Sequence, residues 1–506
     1  MSLPSEPLPP EEPRQERRRS CLYTGITLIL VLSLLATSTF GIFWLITQQS
    51  AETAEAPVMA PAIDQPAATE PYTAEPVEQF TDETDDGSLA PVETVTAPNT
   101  PEAPDPNRLN RIVFVNEERQ IETVAPDGSE RRTLTGDEFI FQFPAWSPDG
   151  RQIAALGGNR RGGGIFLLED ENASAEPMEL YFSGNSSPFY LYWSPDSQQI
   201  SFLADNPGGG IGLNVIDAGE DEESRLIATG SPFYWNWTAD SKQMLIHSGT
   251  QVDDARLVLI DNDGQDQAAQ IPAPGYFQAP GISASGRYWA YSQLQDGGTS
   301  WLTIDDQISG EQQAERHAGS VAMNWSPVDD KLAFINGESD SQFSSWGPLR
   351  LLDAATGEMR ILSSNQVLAF FWSPDGKRIA TISVPSNNGL EGGIEVRDSK
   401  SRHLARNNQA RLPVQTMPHK FMLSVIDIET GTGLELADVA LPAVFLSQFL
   451  VFFDQYGLSH TLWSPDSDAL VLPVIVDREN QIVVVSAVSG RMTQVGEGRM
   501  AFWSRQ

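Results

Sequence analysis

One short turn motif, Trp-Ser-Pro-Asp-Gly, recurs along this chain and constrains its fold more than any other feature. Proline presets φ at the first central position of a turn, aspartate can hydrogen bond to its own backbone, and glycine accepts a positive φ. Each copy follows an apolar or aromatic strand end and precedes another apolar run, so each copy predicts a β-hairpin. Clear copies begin at Trp146, Trp193, Trp372 and Trp463, and degenerate copies begin at Trp237, Ile282, Trp325 and Trp503.

The first residue of each copy, which we call the marker, recurs with a period of roughly 40–45 residues, and only the step from Trp372 to Trp463 is about twice as long. A second regular feature is an apolar run that ends in aspartate about half a period after the marker, except in the sixth case, where about 31 inserted residues lengthen the distance from Trp372. These aspartates are Asp170, Asp217, Asp261, Asp305, Asp353 and Asp427. Four short strands in a period of this length are typical of a β-propeller blade.

This combination of a Trp-Ser-Pro-Asp-Gly turn and an apolar-Asp strand half a repeat later resembles the TolB-like β-propeller family, whose repeats are also called WD40-like or PD40. The resemblance covers about residues 111–506 and implies protein–protein interaction on a face of the disc. The chain departs from TolB at its N-terminus, where TolB has a cleaved signal and an α/β domain. TolB's own partners are therefore not implied for this chain.

The markers predict an all-β propeller of eight four-stranded blades, or of seven if the degenerate copy at Ile282 is misread. The segment that begins at Ile112 has three strand-like runs without a marker strand before it, and Met500–Trp503 is a strand without a blade after it. We therefore expect the two chain ends to pair and close the ring, which removes the free edges of an open sheet. The glycine clusters Gly162–Gly164 and Gly208–Gly210 are expected to be hairpin turns.

The N-terminal region is predicted to be a cytoplasmic tail (1–21) followed by a transmembrane helix (22–46). Residues 22–46 carry no charged side chain and exceed the roughly 20 residues that cross a bilayer as a helix. The alternative is a cleaved signal peptide, whose apolar core usually has about 7–15 residues. Arg17–Arg19 precede this segment and acids follow it, so the positive-inside rule places the N-terminus in the cytoplasm and the propeller outside the cell membrane.

Residues 47–107 combine many prolines with acids and contain no lysine or arginine. This composition predicts a disordered acidic linker ahead of a propeller at 108–506, and a docking tail for a basic partner is the alternative. The formal net charge of −36 opposes nucleic-acid binding, so no nucleic-acid partner is expected. The single cysteine, Cys21, excludes intramolecular disulfides and cysteine-based zinc clusters.

The sequence lacks the motifs that would indicate catalysis or a cofactor. It contains neither Gly-x-Ser-x-Gly nor His-Glu-x-x-His, and its five histidines are scattered. Asp261-Asn262-Asp263-Gly264 resembles half of a calcium loop but lacks the downstream ligands, so turn chemistry explains it better. We therefore predict no catalytic, metal-binding or cofactor-binding residues.

Two insertions in the sixth blade form the candidate surface for a partner or ligand. The first, about residues 385–420, concentrates basic side chains in an otherwise acidic domain. Its candidate residues are Arg397, Arg402, Arg406, Arg411 and Lys420. The second is Phe449–His460, where Asp454, Tyr456 and His460 are expected to line a ligand-accepting end of the central channel. The alternatives are a solvated loop for the first insertion, and core aromatics with turn-capping polar residues for the second.

These features together predict a single-pass membrane protein that displays an extracytoplasmic propeller as a protein-binding or scaffold module without catalysis of its own. An unidentified protein and the lipid bilayer are the expected partners. The first alternative is a propeller hydrolase or lyase that acts on extracellular peptide or glycan through Asp454, Tyr456 and His460. The second alternative is a sensor of a small ligand.

Overall fold

The computed structural model describes residues 110–219, 222–249, 255–264, 275, 278–295, 299–317, 320–336, 346–385 and 420–505. The predicted tail, transmembrane segment and linker lie outside these residues. Most of the first insertion also does, including Arg397, Arg402, Arg406 and Arg411. No helix in the described part of the chain is long and apolar enough to cross a membrane.

The described residues form almost entirely β-structure. The strands of the first part are β1 (Ile112–Val115), β2 (Ile121–Val124), β3 (Arg132–Thr133), β4 (Ile140–Trp146), β5 (Ile153–Asn159), β6 (Gly162–Leu168), β7 (Met178–Ser183), β8 (Pro188–Trp193), β9 (Gln199–Asp205), β10 (Ile211–Asp217), β11 (Arg225–Gly230), β12 (Phe233–Trp237), β13 (Gln243–Ser248) and β14 (Arg256–Asp261).

The second part continues with the same alternation of short strands and turns. Its strands before the helical segment are β15 (Gly281–Ile282), β16 (Tyr288–Gln295), β17 (Thr299–Asp306), β18 (Gln312–His317), β19 (Val321–Trp325), β20 (Lys331–Asn336), β21 (Gly347–Asp353), β22 (Met359–Trp372), β23 (Arg378–Ser383), β24 (Phe421–Asp427) and β25 (Gly433–Val439). A π-helical turn (Phe445–Phe449), a 3-10 turn (Leu450–Phe452) and a short helix, α1 (Phe453–Ser459), follow. The last strands are β26 (Ala469–Val476), β27 (Glu479–Ser486), β28 (Met492–Glu497) and β29 (Met500–Trp503).

These strands pair antiparallel in sheets whose usual unit is four strands. The sheet orders are β29-β1-β2-β3, β4-β5-β6-β7, β8-β9-β10-β11, β12-β13-β14, β15-β16-β17-β18, β19-β20-β21-β22-β23-β24-β25 and β26-β27-β28. Chain neighbours are also sheet neighbours, apart from β29, which pairs with β1. The predicted all-β propeller architecture with four-stranded units is confirmed.

The two chain ends close the ring as the sequence predicts. In the antiparallel pair of β29 and β1, Trp503 lies opposite Ile112 and Met500 lies opposite Val115. The Ser504 backbone amide donates to the Arg111 carbonyl at 2.9 Å, and the Arg111 amide donates to the Ser504 hydroxyl at 3.2 Å. This pairing covers the edge that β1 would otherwise expose.

Each marker residue ends the first strand of a unit, which we call the marker strand. The marker strands are β4, β8, β12, β15, β19, β22 and β29, and Trp463 forms a single antiparallel bridge with Leu470. In the turn after β4, Asp149 Oδ1 accepts a hydrogen bond from the Ser147 hydroxyl at 2.7 Å, and the Gly150 amide donates to the Ser147 carbonyl at 2.9 Å. Gly150 has φ 71°, which explains why glycine recurs at this position.

The marker tryptophans join neighbouring units by a repeated hydrogen bond. In three cases, the indole N–H donates to the backbone carbonyl of the residue just before the preceding marker. These bonds run from Trp193 to Ala145 (3.1 Å), from Trp372 to Asn324 (3.0 Å) and from Trp463 to Phe371 (2.9 Å). We call each boundary between successive units a seam, and this bond is the indole bond of the seam. The marker therefore supplies a directional contact as well as a flat apolar face.

A second bond crosses several seams between the turns. Where serine replaces the turn glycine, its hydroxyl accepts the amide of the aspartate in the preceding turn. The pairs are Asp149 with Ser197 (3.0 Å), Asp196 with Ser241 (3.0 Å) and Asp375 with Ser467 (3.2 Å). These serines have φ values of 62–63°, a region that L-residues rarely adopt. Serine at this turn position thus accepts a strained backbone conformation and in return forms a hydrogen bond between units.

Two details differ from the sequence predictions. Gly162–Gly164 lie inside β6 and not in a turn. Glycine fits there because β7 passes so close that a Cβ at Gly162 would lie 2.2 Å from the Ser183 carbonyl oxygen. In the Ile282 unit the strand ends at Asp306 and not at Asp305, and Asp306 binds Arg287 through two hydrogen bonds of 2.9 and 2.7 Å. The double Asp in the sequence hid which of the two ends the strand.

Candidate functional site

The connection from β25 to Trp463 enters the centre of the ring as a helical segment, residues 442–460, which we call the central segment. Its buried apolar side chains are Phe445, Phe449, Leu450, Phe453 and Tyr456, whereas Val451 and Phe452 are 53% and 41% exposed. Its ring contacts, as centroid distances, are Phe453–Phe370 (5.2 Å), Phe449–Phe371 (5.9 Å), Phe449–Phe502 (5.2 Å), Tyr456–Phe143 (5.0 Å) and Tyr456–Tyr190 (4.8 Å). Helix α1 also lies against β12 and β19. Protein thus fills the centre, the place where a propeller has its channel.

Gln455 ties the central segment to two marker strands by hydrogen bonds. Its side-chain oxygen accepts the Trp235 backbone amide at 2.9 Å, and its side-chain nitrogen donates to the Trp235 carbonyl at 3.0 Å. The Tyr190 hydroxyl donates to the Gln455 carbonyl at 3.1 Å. Because Gln455 is only 2% exposed, its polar atoms depend on these partners, and replacing it would leave backbone groups of β12 unsatisfied.

Phe143 reaches the central segment because β4 is bulged. The pairing of β4 with β5 shifts between Gln142 and Ala145, and Phe143 has φ 50°. A bulge of this kind bends a strand and turns one side chain out of the regular alternation. Here it turns the Phe143 ring toward Tyr456 and His460. A positive φ is costly for a bulky residue, so this contact is maintained against local strain of about 1–3 kcal/mol.

Asp454 is a buried carboxyl group close to Tyr234. It is 6% exposed, and its Oδ1 accepts the Gln455 amide at 3.0 Å. Burial raises the pKa of Asp454 to about 6, while hydrogen bonds from the backbone amides of Ala279 and Gln455 act in the opposite direction. Burial also raises the pKa of Tyr234 well above its usual range, and the nearby Asp454 carboxylate adds to this rise. Asp454 thus connects the central segment to Ala279, just before β15.

Ser459 and His460 form a hydrogen-bonded pair at the end of α1. The Ser459 hydroxyl and His460 Nδ1 are 2.6 Å apart, and His460 Nε2 lies 3.5 Å from the Phe143 carbonyl oxygen. A carbonyl oxygen only accepts, so Nε2 carries the ring proton and Nδ1 accepts from Ser459. Burial lowers the pKa of His460 to about 3. A histidine that stays neutral and is only 2% exposed is a poor general base near neutral pH.

The structure brings together the predicted residues of the second insertion, and of the candidates in the first only Lys420 lies within the described residues. Asp454, Tyr456 and His460 all belong to the central segment, and they are 6%, 7% and 2% exposed. Lys420 is exposed and directly precedes β24. The first insertion connects β23 to β24, and these two strands pair next to the insertion through Ser383 and Met422. Within the described residues, no group of three or more His, Cys, Asp or Glu side chains could hold a metal ion.

Four residues of this centre were missed by the sequence reasoning: Phe143, Tyr190, Gln455 and Ser459. A signal for two of them exists in the repeat. Phe143 and Tyr190 each lie three residues before a marker, at the position that Ala279 occupies in the Ile282 unit. An alignment of the repeats would therefore have shown Phe143, Tyr190 and Tyr234 at one repeat position, which is alanine in the next three units. Gln455 and Ser459 lie outside the repeat and carry no comparable pattern.

No protein-family model matches the sequence, and no curated protein matches it. Similar solved structures include TolB from Acinetobacter baumannii, 15% identical over 78% of this chain and 66% of that chain, with a TM-score of 0.37. An oligogalacturonate lyase in complex with manganese is 12% identical over 69% of this chain and 85% of its own, with a TM-score of 0.43. Dihydro-heme d1 dehydrogenase NirN in complex with DHE is 13% identical over 78% and 75%, with a TM-score of 0.49. At these identities the similarity concerns the fold alone.

Proposed function

We propose that this chain, a TolB-like β-propeller, is a protein-binding or scaffold module without catalysis of its own. The observation that carries the proposal is the filled centre of the ring. Asp454, Tyr456 and His460 are buried, and the side chain of Gln455 holds the central segment to β12 by two hydrogen bonds. With the central channel occupied by the chain itself, binding falls to the outer surfaces and loops of the disc.

We propose further that the propeller is held outside the cell membrane by residues 22–46 and by the acidic linker. The charge pattern around the apolar segment supports this orientation. The partner surface in this proposal is the first insertion, whose arginines stand out in an acidic domain and whose returning end carries the exposed Lys420. The partner would accordingly offer an acidic surface to these side chains.

The partner proposal is tested by crosslinking the tagged full chain in native membranes. Wild type is compared with a variant in which Arg397, Arg402, Arg406 and Arg411 are replaced by Gln, which keeps the length of the insertion. A control variant carries Arg151→Gln and Arg161→Gln, two exposed arginines of other turns. We expect one defined protein to be captured by wild type and the control but not by the insertion variant. Equal capture by all three chains would exclude the insertion as the interface.

The anchor is tested by alkaline extraction of membranes and by protease treatment of intact cells. The full chain should remain with the membrane pellet, and added protease should degrade the propeller from outside. Deletion of residues 22–46 should release the chain. A full chain that alkali extracts, or a propeller that protease cannot reach, would contradict the proposed location.

The enzymatic alternative assigns hydrolysis or lysis of peptide or glycan to Asp454, Tyr456 and His460. It requires the central segment to open, because none of these residues exceeds 7% exposure. A peptide- or glycan-cleaving activity of the pure chain that His460→Gln abolishes, in a variant with unchanged unfolding, would establish it. A small molecule that raises the melting temperature of the chain would favour the sensor alternative.

We also infer eight blades. The seven-stranded sheet divides into two four-stranded blades that share β22, whose 14 residues are about twice the length of a usual strand here. Trp463, bridged to Leu470, supplies the short first strand of the β26-β27-β28 sheet. The Ile282 unit, with β15 to β18, counts as a blade of its own in this proposal. An experimental density map of the ring would test the number directly.

A further inference from the structure

The connections between the third and fourth strands of the units mostly follow one pattern. At 307–311, 354–358, 428–432 and 487–491, a tight turn contains a glycine with positive φ. These glycines are Gly310, Gly357, Gly431 and Gly490, with φ between 67° and 75°. The connection 169–177, between β6 and β7, is longer and contains no glycine. Longer loops on a rigid sheet are frequent sites of binding.

Beneath loop 169–177 lies a half-open groove with a cavity volume of about 370 Å³. Leu167 and Leu168 form part of its wall and are 3% and 4% exposed, so they belong to the main core. Ala173, Met178 and Ala218 also line the groove and pack against the same core. The apolar lining is therefore held in place by the sheet and does not depend on the loop alone.

The rim of the groove carries negative charge without a cation of its own. Glu169 and Glu176 line the groove and are exposed, and neither carboxylate has a hydrogen bond or ion pair with another described residue. By contrast, Asp170 of the same loop is buried and bound by Arg132 at 2.6 Å and by Arg111 at 3.2 Å. Arg111 and Arg132 thus neutralise the Asp170 carboxylate, whereas the carboxylates of Glu169 and Glu176 face solvent.

We propose that this groove binds a peptide segment of a partner protein, with an apolar side chain against Leu167 and Met178 and a lysine or arginine beside Glu169 and Glu176. Charge complementarity selects the cationic partner, because an acidic segment would be repelled at the rim. The volume accommodates one large side chain and part of its neighbours. This site is formed mainly by the β4–β7 sheet and its loop 169–177, and it is distinct from the basic insertion between β23 and β24.

The test uses the full chain in detergent and a fluorescent peptide, Gly-Leu-Arg-Leu-Arg-Gly, followed by fluorescence anisotropy. Comparison peptides replace either both Arg by Glu or both Leu by Gly. The rim variant is Glu169→Gln/Glu176→Gln, and the matched control is Glu171→Gln/Glu179→Gln, which removes the same charge from exposed residues outside the groove lining. Ala175→Trp fills the groove from its exposed edge.

We expect the rim variant to weaken binding of the Leu-Arg peptide about three- to tenfold, and the control to change it less than twofold. Ala175→Trp and either peptide replacement should also weaken binding. Equal weakening by rim and control variants would mean general attraction to an acidic protein and would overturn the proposal, as would failure of wild type to bind. Tighter binding after deletion of 386–419, or a dimer that Ala175→Trp dissociates, would assign the groove to the chain itself and equally overturn it.

Discussion

The seam at Trp463 and the seam at Ile282 join neighbouring units in different ways. At Trp463, a fully buried indole donates to the Phe371 carbonyl at 2.9 Å, and the Ser467 hydroxyl accepts the Asp375 amide at 3.2 Å. At the other seam, the strand has only two residues and ends at Ile282, whose half-buried aliphatic side chain has no hydrogen-bond donor. Glycine, Gly286, stands where Ser467 stands in the other turn.

The two seams that flank the Ile282 unit both lack the indole bond. Ile282 offers no indole bond to the unit before it. In the unit after it, the Trp325 ring lies over Gly281, and its buried Nε1 has no hydrogen-bond partner within the described residues. The apolar residues of the Ile282 unit also fall into clusters separate from the main core. The indole bond is therefore not formed at every seam, since the buried Nε1 of Trp146 also has no hydrogen-bond partner within the described residues.

Other contacts act at the weaker seam. The Ser285 hydroxyl donates to Asp330 Oδ1 at 2.6 Å, joining the turns of the Ile282 and Trp325 units. From the inside, Asp454 of the central segment accepts the Ala279 amide, just before the short strand β15. The central segment thus supports the ring where the repeat is least regular. Four predictions test how far the two seams differ.

The largest expected effect is that of Trp463→Ala. Removal of this buried side chain should lower the free energy of unfolding by about 3–5 kcal/mol, since it creates a cavity and deletes the indole bond. Ile282→Ala should cost only about 1–2 kcal/mol, because the side chain is half-buried and makes no such bond. Urea unfolding of the purified chains measures both. Equal losses would show that the two seams contribute alike.

The second prediction concerns the support of the weak seam by Asp454. Its pKa is raised in the folded chain, so folding favours the protonated form. This contribution is complete below about pH 4, where the unfolded state is also protonated, and it is lost as pH rises through about 6. The wild type should therefore lose up to about 3 kcal/mol of stability between pH 4 and 6 relative to Asp454→Asn. If the stabilities of the two chains changed in parallel between pH 4 and 7, the Asp454 carboxyl would not be buried with a raised pKa.

The third prediction isolates the indole bond by replacing tryptophan with phenylalanine at two seams. Trp463→Phe removes the donor and leaves the Phe371 carbonyl unsatisfied, which should cost about 1–3 kcal/mol beyond the loss of volume. Trp325→Phe removes an indole N–H that is already unpaired, so only the volume loss should appear. The difference between the two unfolding free energies measures the bond. If Trp325→Phe costs as much as Trp463→Phe, the indole bond contributes nothing specific.

The smallest expected effect distinguishes the two uses of the turn position. Ser467→Ala loses the bond from Asp375 and keeps the strained φ of 63°, so it should cost about 1–2 kcal/mol. Ser467→Gly loses the same bond but relieves the strain, so it should remain within about 0.5 kcal/mol of wild type. Thermal unfolding at constant pH resolves the two variants. The reverse order would show that backbone strain is negligible at this turn.

Much of the ring follows from local chemistry in the sequence. The Ser-Pro-Asp turns, the strands that end in Trp and the pairing of β1 with β29 are predicted and found, because turn residues and short apolar runs act over a few neighbours. The carbonyl that accepts the indole bond of each Trp could not be predicted from the sequence in the same way. The indole bond reaches a carbonyl one whole repeat away, and its presence depends on how closely the two units pack.

The sequence by itself determined the repeated hairpin, the four-stranded unit and the closure of the ring, since each depends on residues that recur at fixed local positions. Only the tertiary structure decided that Asp454, Tyr456 and His460 are buried in the centre of the ring. The same residues on an open loop would be exposed and able to meet a ligand. Their burial arises because Phe143, Tyr190 and the other inner side chains, distant in the chain, meet the central segment together and exclude water from it.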